Sequence, residues 1–373
     1  MKQGIMAGYS RKDGHLPDII AQVPIFAVSC MLFATSIAIL FAYNIPVAPE
    51  LAIANGKFHL GSIFLILLFD SAYTLARNRP ARPTLHLFRR YSNAEIRTRF
   101  LARLPLFVMI VAFMPVFSNM KSMIPMFHVY NWDATLIAWD HAIFGTDAWL
   151  FFQPVLGYPI ITSGLAMLYH AWMLLNYPGT LFILYYSVGD RIRHRYFLCY
   201  VLIWTILGVA LATSLASVGP AFLEAVTGDP RFAAQMAYLK SANELYPVPV
   251  VHVQELLLEW YHSKEYGLGR GITAMPSMHV SMAFLYFLTM RHVSRWAGRF
   301  FFVFFALIWL ASVHLGYHYA VDGLVSVIST SILWVASQRI LDWWDRVRPV
   351  PTADQTLNGS LKPAISGTVL HKA

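Results

Sequence analysis

Long apolar runs alternate with short polar segments along nearly the whole chain. A helix needs about 20 mostly apolar residues to cross a lipid bilayer. Eight runs approach or exceed this length, over residues 22–44, 58–77, 102–120, 160–188, 196–218, 276–291, 298–316 and 319–338. The pattern therefore predicts an all-α, polytopic membrane helix bundle of about eight transmembrane helices.

The fourth span is the hardest to bound, because residues 148–189 contain no Asp, Glu, Lys or Arg. This stretch is too long for one helix, and Pro154, Gly157 and Pro159 interrupt its first part. We interpret residues 148–159 as a segment at the membrane interface, with the fourth span following it.

The basic residues are divided unevenly between the two sides that eight spans define. One side holds both termini and 22 of the 28 Lys and Arg residues, and the other side holds six. Cytoplasmic loops carry the excess of Lys and Arg, so both termini are expected in the cytoplasm. The loops 45–57, 121–159 and 219–275 then face the extracytoplasmic side. Residues 1–21 show no cleavable signal peptide, and a bacterial inner membrane is the expected location.

Composition supports the membrane assignment and excludes several other classes. Hydrophobic residues make up 57% of the 373 residues, and charged residues make up 13%, about half the usual share of a soluble domain. The net charge of +9 resides mainly in the loops, so it indicates membrane orientation and not nucleic-acid binding. The two cysteines, Cys30 and Cys199, lie in apolar runs and are too few for a cysteine zinc site.

Three regions are expected along the chain. Residues 1–101 form an N-terminal tail and two accessory helices, residues 102–338 a six-helix catalytic core, and residues 339–373 a flexible cytoplasmic tail.

The outer loops are expected to carry structure of their own. Aromatic residues crowd positions 130–152 and predict a segment that lies along the membrane surface. Apolar spacing predicts amphipathic helices near residues 232–245 and 251–261. These helices either cap the bundle or form a lid over a substrate path.

Residues suited to catalysis occur in three clusters. In the first, Pro276 can start a helix whose free N–H groups bind an anion, and Ser277 and His279 lie beside them. Another is Lys121, at the outer end of the third span, on the side that otherwise holds few basic residues. Lys121 either snorkels towards the membrane surface or serves the site.

The remaining cluster, His314, His318 and Asp322, places two histidines and an acid at intervals of four residues. Residues four apart share a helix face, so Asp322 is expected to accept a hydrogen bond from the His318 ring. This bond would fix the tautomer and leave the other ring nitrogen free as a nucleophile.

The predicted topology brings the three clusters to one membrane face, on the extracytoplasmic side. A histidine pair beside an anion-binding helix start suits phosphoryl transfer. One histidine attacks phosphorus and becomes a phosphohistidine, while the other protonates the departing oxygen. Lys121 and the backbone amides neutralise charge on the phosphoryl oxygens, so neither a metal ion nor another cofactor is expected.

These residues resemble the type 2 phosphatidic acid phosphatase superfamily, which shows Lys-x6-Arg-Pro, Pro-Ser-x-His and Arg-x5-His-x3-Asp motifs. The resemblance covers the last six spans. It implies that His318 is the nucleophile, with Asp322 as its partner and His279 as the general acid. It also implies that Lys121 and Ser277 bind phosphate.

Two positions depart from the superfamily pattern. Ser312 stands where an arginine is expected six residues before His318, and His128-Val129 replaces the Arg-Pro pair after the lysine. Both missing arginines would bind phosphate, so efficient hydrolysis of a small phosphomonoester is not expected from the resemblance.

The pattern without those arginines is similar to the inositol phosphorylceramide synthase-like branch, whose members move a phosphorylated head group between lipids. Residues 121–125, Trp132-Asp133 and Asp140 share this resemblance. Arg270, in the loop before the Pro-Ser-x-His motif, either replaces the missing charge or faces lipid head groups.

Four further polar residues are expected in supporting roles. His314 either touches the phosphate or an acceptor hydroxyl, or packs within the bundle. Tyr169 and His170 are expected in a polar network inside the bundle, away from direct contact with substrate. Asp70 is expected to be a hydrogen-bonded packing residue.

Three functions are open on the sequence. A phosphotransferase would move a head group from a lipid phosphodiester to a second lipid hydroxyl. A phosphatase would use water, with phosphatidic acid, phosphatidylglycerol phosphate or a polyprenyl diphosphate as substrate. A transporter or scaffold is the third, although the chain shows no inverted repeat. Both enzymes would have membrane lipids as substrates.

Overall fold

The computed structural model describes residues 19–44, 49–185, 188–263 and 271–348, and in these ranges the chain is helical and contains no strand. The first half holds α1 (Val23–Ala42), α2 (Pro49–Asn78), α3 (Pro83–Tyr91), α4 (Ala94–Ser122), α5 (Ile124–Phe127), α6 (Asp133–Phe144), α7 (Ala148–Leu156), α8 (Pro159–Leu174) and α9 (Thr180–Tyr185). The second half holds α10 (Asp190–Leu202), α11 (Ala212–Ser214), α12 (Leu223–Thr227), α13 (Ala233–Leu245), α14 (Val250–His262), α15 (Met278–Met290), α16 (Arg295–His314) and α17 (Ala320–Val347). Two π-helical segments, Leu175–Gly179 and Ile203–Leu211, join α8 to α9 and α10 to α11.

The long helices confirm a polytopic membrane bundle. Among the described residues, six helices are long and apolar enough to cross a membrane, and a bent pair makes a seventh if it counts as one span. That pair is α7 and the helix 159–185, which differ in direction by 114°, so the predicted interruption near Pro159 is present. The predicted sixth span is the 13-residue apolar helix α15. Each of the eight predicted spans therefore has a helical counterpart.

Helix α17 extends beyond the predicted last span, which ended at residue 338. It continues to Val347 because Asp342 and Asp345 in its last turns both accept hydrogen bonds from Arg191. The start of the predicted flexible tail is thus helical, and residues 349–373 lie outside the described residues.

Helix α10 lies at the centre of the bundle. Tyr196, Phe197 and Tyr200 are buried, and the helix contacts α1, α15 and α17. The charged residues of α10 lie in its first half, and its second half, from Tyr196 to Leu202, is apolar and buried. Helices α15 and α17 therefore pack on an apolar part of the core.

The predicted accessory pair, α1 and α2, is docked through polar groups as well as apolar ones. Asn55 on α2 is fully buried and donates from Nδ2 to the carbonyl oxygen of Val111 at 2.7 Å. Its Oδ1 accepts from the Tyr177 hydroxyl at 3.2 Å. Buried polar groups with satisfied partners fix one packing arrangement, so this pair is held in a defined position.

Asp70 has the packing role predicted for it. Its carboxylate accepts two hydrogen bonds from the Arg90 guanidinium, at 2.9 and 3.0 Å, and a third from the Tyr91 hydroxyl at 3.0 Å. The bidentate pair ties α2 to α3, and this acid therefore needs no transport function to explain it.

Four loops meet at one end of the bundle, which we call the loop end: residues 128–132, 215–221, 271–277 and 315–319. Hydrogen bonds join the first loop to the second and third: the Trp132 N–H donates to Ala216 O at 3.2 Å, and the Tyr130 hydroxyl donates to Ile272 O at 2.7 Å. The second loop is joined to the other two: Ser217 O accepts from the Ala274 N–H at 2.9 Å, and the Ala221 N–H donates to Gly316 O at 2.8 Å. The loop end is therefore one connected structure.

The two predicted amphipathic helices are confirmed as α13 and α14, and both cover the loop end. Gln235 on α13 donates to the carbonyl oxygens of Val313 and His314, at 2.9 and 3.1 Å. Gln254 on α14 donates to the carbonyl oxygen of Leu315 at 2.8 Å. The glutamines satisfy carbonyl groups that the end of α16 leaves free, which supports the cap interpretation over the lid.

Candidate active site

The turn between α16 and α17 carries His318. The N–H groups of Tyr317 and His318 both donate to the carbonyl oxygen of Ser312, at 3.1 and 3.2 Å. The helices approach closely here because Gly323 has no side chain: a Cβ at that position would lie 2.1 Å from Nε1 of Trp309. The backbone around His318 is therefore fixed by both helices.

Asp322 holds the His318 ring. The Nδ1 atom of His318 lies 3.2 Å from Oδ2 of Asp322, which also accepts from the N–H of Tyr319 at 3.0 Å. Asp322 is fully buried and His318 nearly so. The carboxylate assigns the imidazole proton to Nδ1, which leaves Nε2 with a free lone pair.

The predicted contact between His318 and Asp322 is confirmed, but a different local structure makes it. His318 lies in the turn before α17, and the two residues do not share a helical face. Asp322, the third residue of α17, accepts from the Tyr319 N–H as the acid of a capping box does, and the His318 ring joins that arrangement.

His279 lies in the first turn of α15, close to His318. The ring centroids of the two histidines are 6.5 Å apart, with 60° between the ring planes. Ser277 begins α15, where its side chain accepts from the N–H of Val280 at 3.4 Å, and its carbonyl oxygen accepts from the Ser326 hydroxyl of α17 at 3.0 Å. The structure thus brings Ser277, His279, His318 and Asp322 together.

Aromatic rings from α8 pack against His279. The Tyr169 ring stacks on it, with centroids 4.2 Å apart and 17° between planes, and the Trp172 ring lies 4.2 Å away. Tyr169 also stacks on Tyr317, the residue before His318, with ring centroids 5.2 Å apart. Tyr169 therefore lies nearer to the site than predicted, and Trp172 was missed; their spacing of three residues on one helix face was the available signal.

His170 and Lys121 lie within electrostatic range of His279. The Nδ1 atom of His170 lies 2.9 Å from the carbonyl oxygen of Ala166, one turn earlier on α8. Lys121 lies in the last turn of α4, at the loop end. Arg270, the predicted replacement for a missing phosphate-binding arginine, lies outside the described residues.

The positions of the two missing arginines provide no cation. Ser312 is fully buried and its hydroxyl donates to the carbonyl oxygen of Trp309 at 2.7 Å. The Nδ1 atom of His128 lies 2.8 Å from the carbonyl oxygen of the adjacent Val129.

The partners of His314 belong to α8 and α13. Its Nε2 atom lies 2.9 Å from the Thr162 hydroxyl of α8, and its ring packs on Tyr238 of α13 at 5.8 Å. It is the last residue of α16, so residues 315–317 separate it from His318 along the chain. This position matches the packing alternative for His314.

Two carboxylates behind the turn at 315–319, Asp133 and Asp140 of α6, were not assigned a role from the sequence. The pKa of Asp140 is raised to about 6, mainly by burial; hydrogen bonds from two backbone N–H groups oppose the change, and the charges of Asp322 and Asp147 add to it. Burial also raises the pKa of the Tyr319 hydroxyl, which donates to Asp133. Their spacing of seven residues, about two helical turns, was the sequence signal.

The arrangement is suited to phosphoryl transfer that uses two imidazoles, one as nucleophile and the other as proton donor. The 6.5 Å between the ring centroids brings both rings close enough to act on one phosphoryl group. The start of α15 directs N–H groups to the same end of the bundle, and Lys121 adds positive charge there.

The bundle and the histidine pair are consistent with a helical membrane protein of the phosphatase or phosphotransferase type. A family model described as the PAP2 superfamily matches residues 134–336, more than half of the chain. The chain therefore belongs to the PAP2 superfamily, whose members are generally phosphatases or phosphotransferases. The match includes His279 and His318 and begins after Lys121. No curated protein and no solved structure gave a significant match.

Proposed function

We propose that the protein is a lipid phosphotransferase that works through a phosphohistidine on His318, without a metal ion. The observation that carries the proposal is the pairing of His318 with Asp322 at 3.2 Å, with the His279 ring 6.5 Å away. One imidazole is held with a nitrogen available as a nucleophile, and the second lies close enough to move a proton at the same phosphoryl group.

In the first step, Nε2 of His318 forms a bond to phosphorus as the bond from phosphorus to the leaving oxygen breaks. His279 gives its proton to that oxygen. In the second step, an acceptor hydroxyl attacks phosphorus, the phosphorus–nitrogen bond breaks, and His279 takes the hydroxyl proton. Lys121, Ser277 and the N–H groups at the start of α15 stabilise negative charge on the phosphoryl oxygens.

We propose transfer of a phosphorylated head group to a second lipid, as in the inositol phosphorylceramide synthase-like branch. Neither arginine of the phosphatase pattern is present, since Ser312 and His128-Val129 occupy those positions. A site with fewer fixed cations binds a phosphodiester, with one negative charge, at less disadvantage than a phosphomonoester with two. Membrane lipids serve as both donor and acceptor.

The loop end faces the extracytoplasmic side in this proposal, with both termini in the cytoplasm of a bacterial cell. The support is the uneven division of Lys and Arg between the two sides. Residues 102–338 form the catalytic core, with residues 1–101 as an accessory region.

The test uses purified protein in mixed micelles with phosphatidylinositol labelled in its phosphorylated head group, together with ceramide and diacylglycerol. A parallel reaction contains labelled phosphatidic acid alone. The control is His318→Asn, which keeps the approximate size of the side chain and removes the nucleophilic nitrogen. We expect label on a second lipid with the wild type and none with the variant.

Two outcomes would contradict the proposal. Release of inorganic phosphate from phosphatidic acid, without transfer, would make the protein a phosphatase. Full activity of His318→Asn would remove the phosphohistidine from the mechanism, whichever acceptor is used.

A further inference from the structure

Helix α6 carries two buried carboxylates on one side. Asp133 and Asp140 are 5% and 4% exposed, and seven residues bring a side chain back to nearly the same direction after two turns. Asp140 accepts from the N–H groups of Ala320 and Val321, one to each oxygen, both at 2.9 Å. These are the first two residues of α17. They directly follow the turn at 315–319, which carries the proposed nucleophile His318 and which we call the nucleophile turn.

Asp133 binds two loops at once. Its carboxylate accepts from the N–H groups of Val218 and Gly219, both at 3.0 Å, and from the Tyr319 hydroxyl at 2.9 Å. Gly219 has a φ of +84°, and a Cβ there would lie 2.7 Å from the carbonyl oxygen of Tyr317. Only glycine fits at this point, where the loop 215–221 presses against the nucleophile turn.

The same loop is bonded to the segment that leads to His279. The carbonyl oxygen of Ser217 accepts from the N–H of Ala274 at 2.9 Å, and its hydroxyl accepts from the N–H of Met275 at 3.1 Å. Through residues 217–219, Asp133 therefore links the backbone before His279 to the backbone after His318.

These contacts are too specific for two acids that only fill space. A buried carboxylate is unfavourable unless donors surround it, and an apolar side chain would fill the same volume without that need. The donors to both acids come from the loops and helix start beside the two histidines. Their arrangement therefore serves the geometry of the site.

We infer that Asp133 and Asp140 are positioning residues for the reaction. Asp140 fixes the start of α17, from which Asp322 holds His318, and Asp133 fixes the spacing between the segments that carry His318 and His279. Both act through backbone N–H groups, and Asp133 acts also through the Tyr319 hydroxyl. This inference rests on the proposed function, which names the two reacting histidines.

The first test measures kcat and KM for Asp133→Asn and Asp140→Asn. The concentration used to calculate kcat is that of protein that elutes in the folded peak on gel filtration. Asparagine keeps one acceptor oxygen and loses the other, so the fold can persist while the spacing relaxes. We expect kcat to fall about 10–100-fold with KM changed by less than about twofold. Tyr319→Phe removes one bond to Asp133 and should give a smaller fall.

The matched control is Asp147→Asn. Asp147 lies in the same outer segment, and its side-chain partners among the described residues, Arg231 and His141, both at 2.9 Å, lie outside the four loops of the loop end. It should retain wild-type kcat. If the variants at Asp133 and Asp140 also keep wild-type kcat per folded molecule, the inference is wrong. A lower yield of folded protein together with an unchanged kcat would show that the two acids serve folding only.

The second test does not depend on turnover. Hydrogen–deuterium exchange should rise at Val218 and Gly219 in Asp133→Asn, and at Ala320 and Val321 in Asp140→Asn, with little change in α1. Unchanged exchange at these amides would overturn the inference. A wild-type protein that neither transfers a lipid head group nor hydrolyses a lipid phosphate would instead refute the proposed function. The exchange measurement would still show whether Asp133 and Asp140 fix these backbone segments.

Discussion

Substitution of Asp322 by Asn tests the central contact of the site with almost no change in volume. The carboxylate accepts from His318 Nδ1 at 3.2 Å and from the Tyr319 N–H at 3.0 Å, both through Oδ2. An asparagine oxygen at the Oδ2 position can still accept from both donors. The amide carries no negative charge, so it no longer stabilises the positive charge that develops on the His318 ring as Nε2 attacks phosphorus.

The size of the effect follows from the charge that the substitution removes. A hydrogen bond to a charged group contributes about 1.5–3 kcal/mol, and a neutral one about 0.5–1.5 kcal/mol. The difference of about 1–2 kcal/mol for the bond to His318 corresponds to about a 5–30-fold slower attack, because 1.36 kcal/mol is a factor of ten. The fold should survive, since the Tyr319 bond is kept.

The assay is a rapid-mixing, single-turnover measurement of label transferred from lipid to protein, quenched in base because phosphohistidine is labile to acid. Asp342→Asn is the matched control, with the same substitution at the far end of the same helix, where Asp342 pairs with Arg191. Phosphoenzyme formation at the wild-type rate in Asp322→Asn would refute the role of the Asp322 charge in activating His318.

Three further predictions follow from the site. His279→Ala should slow turnover about 10²–10⁴-fold, because no acid protonates the leaving oxygen. With a diphosphate donor, whose leaving group departs without protonation more readily, label should still reach His318. Unchanged turnover would contradict the assignment of His279 as the general acid. Treatment with EDTA should leave activity nearly unchanged, because Lys121 and backbone amides supply the positive charge; full loss, restored by a divalent cation, would refute metal independence. The pKa of Asp140 is about 6 when folded and 3.8 in an unperturbed chain, so its contribution to stability is full below pH 4 and is lost as pH rises through 6. The loss should not exceed about 3 kcal/mol, and melting curves between pH 4 and 7 should show it in the wild type and not in Asp140→Asn.

The helices were predictable because hydropathy and length are local properties of the sequence. The helical counterparts of all eight spans, the break near Pro159 and the two amphipathic helices were all predicted from residue patterns. Exact lengths were less predictable, since α15 is shorter than a full span and α17 continues to Val347 through its bonds to Arg191.

The site was predictable only as far as spacing along the chain reveals chemistry. Asp322 was correctly paired with His318, although a helix start and not a continuous helix produces the contact. The packing of Trp172 on His279 joins helices more than 100 residues apart in sequence, so local patterns did not reveal it. The contacts of Asp133 were hidden in the same way, because its donors belong to distant loops.

Helix α6 also has an exposed side, which presents apolar residues. Trp139 and Ile143 on this helix are 43% and 55% exposed, and tryptophan favours the layer of lipid head groups. The element that holds the start of α17 therefore also presents an apolar, aromatic side suited to the layer of lipid head groups. We expect a change in the lipids around this helix to reach the start of α17 through Asp140, so lipid composition should affect the site even where the lipid is not a substrate.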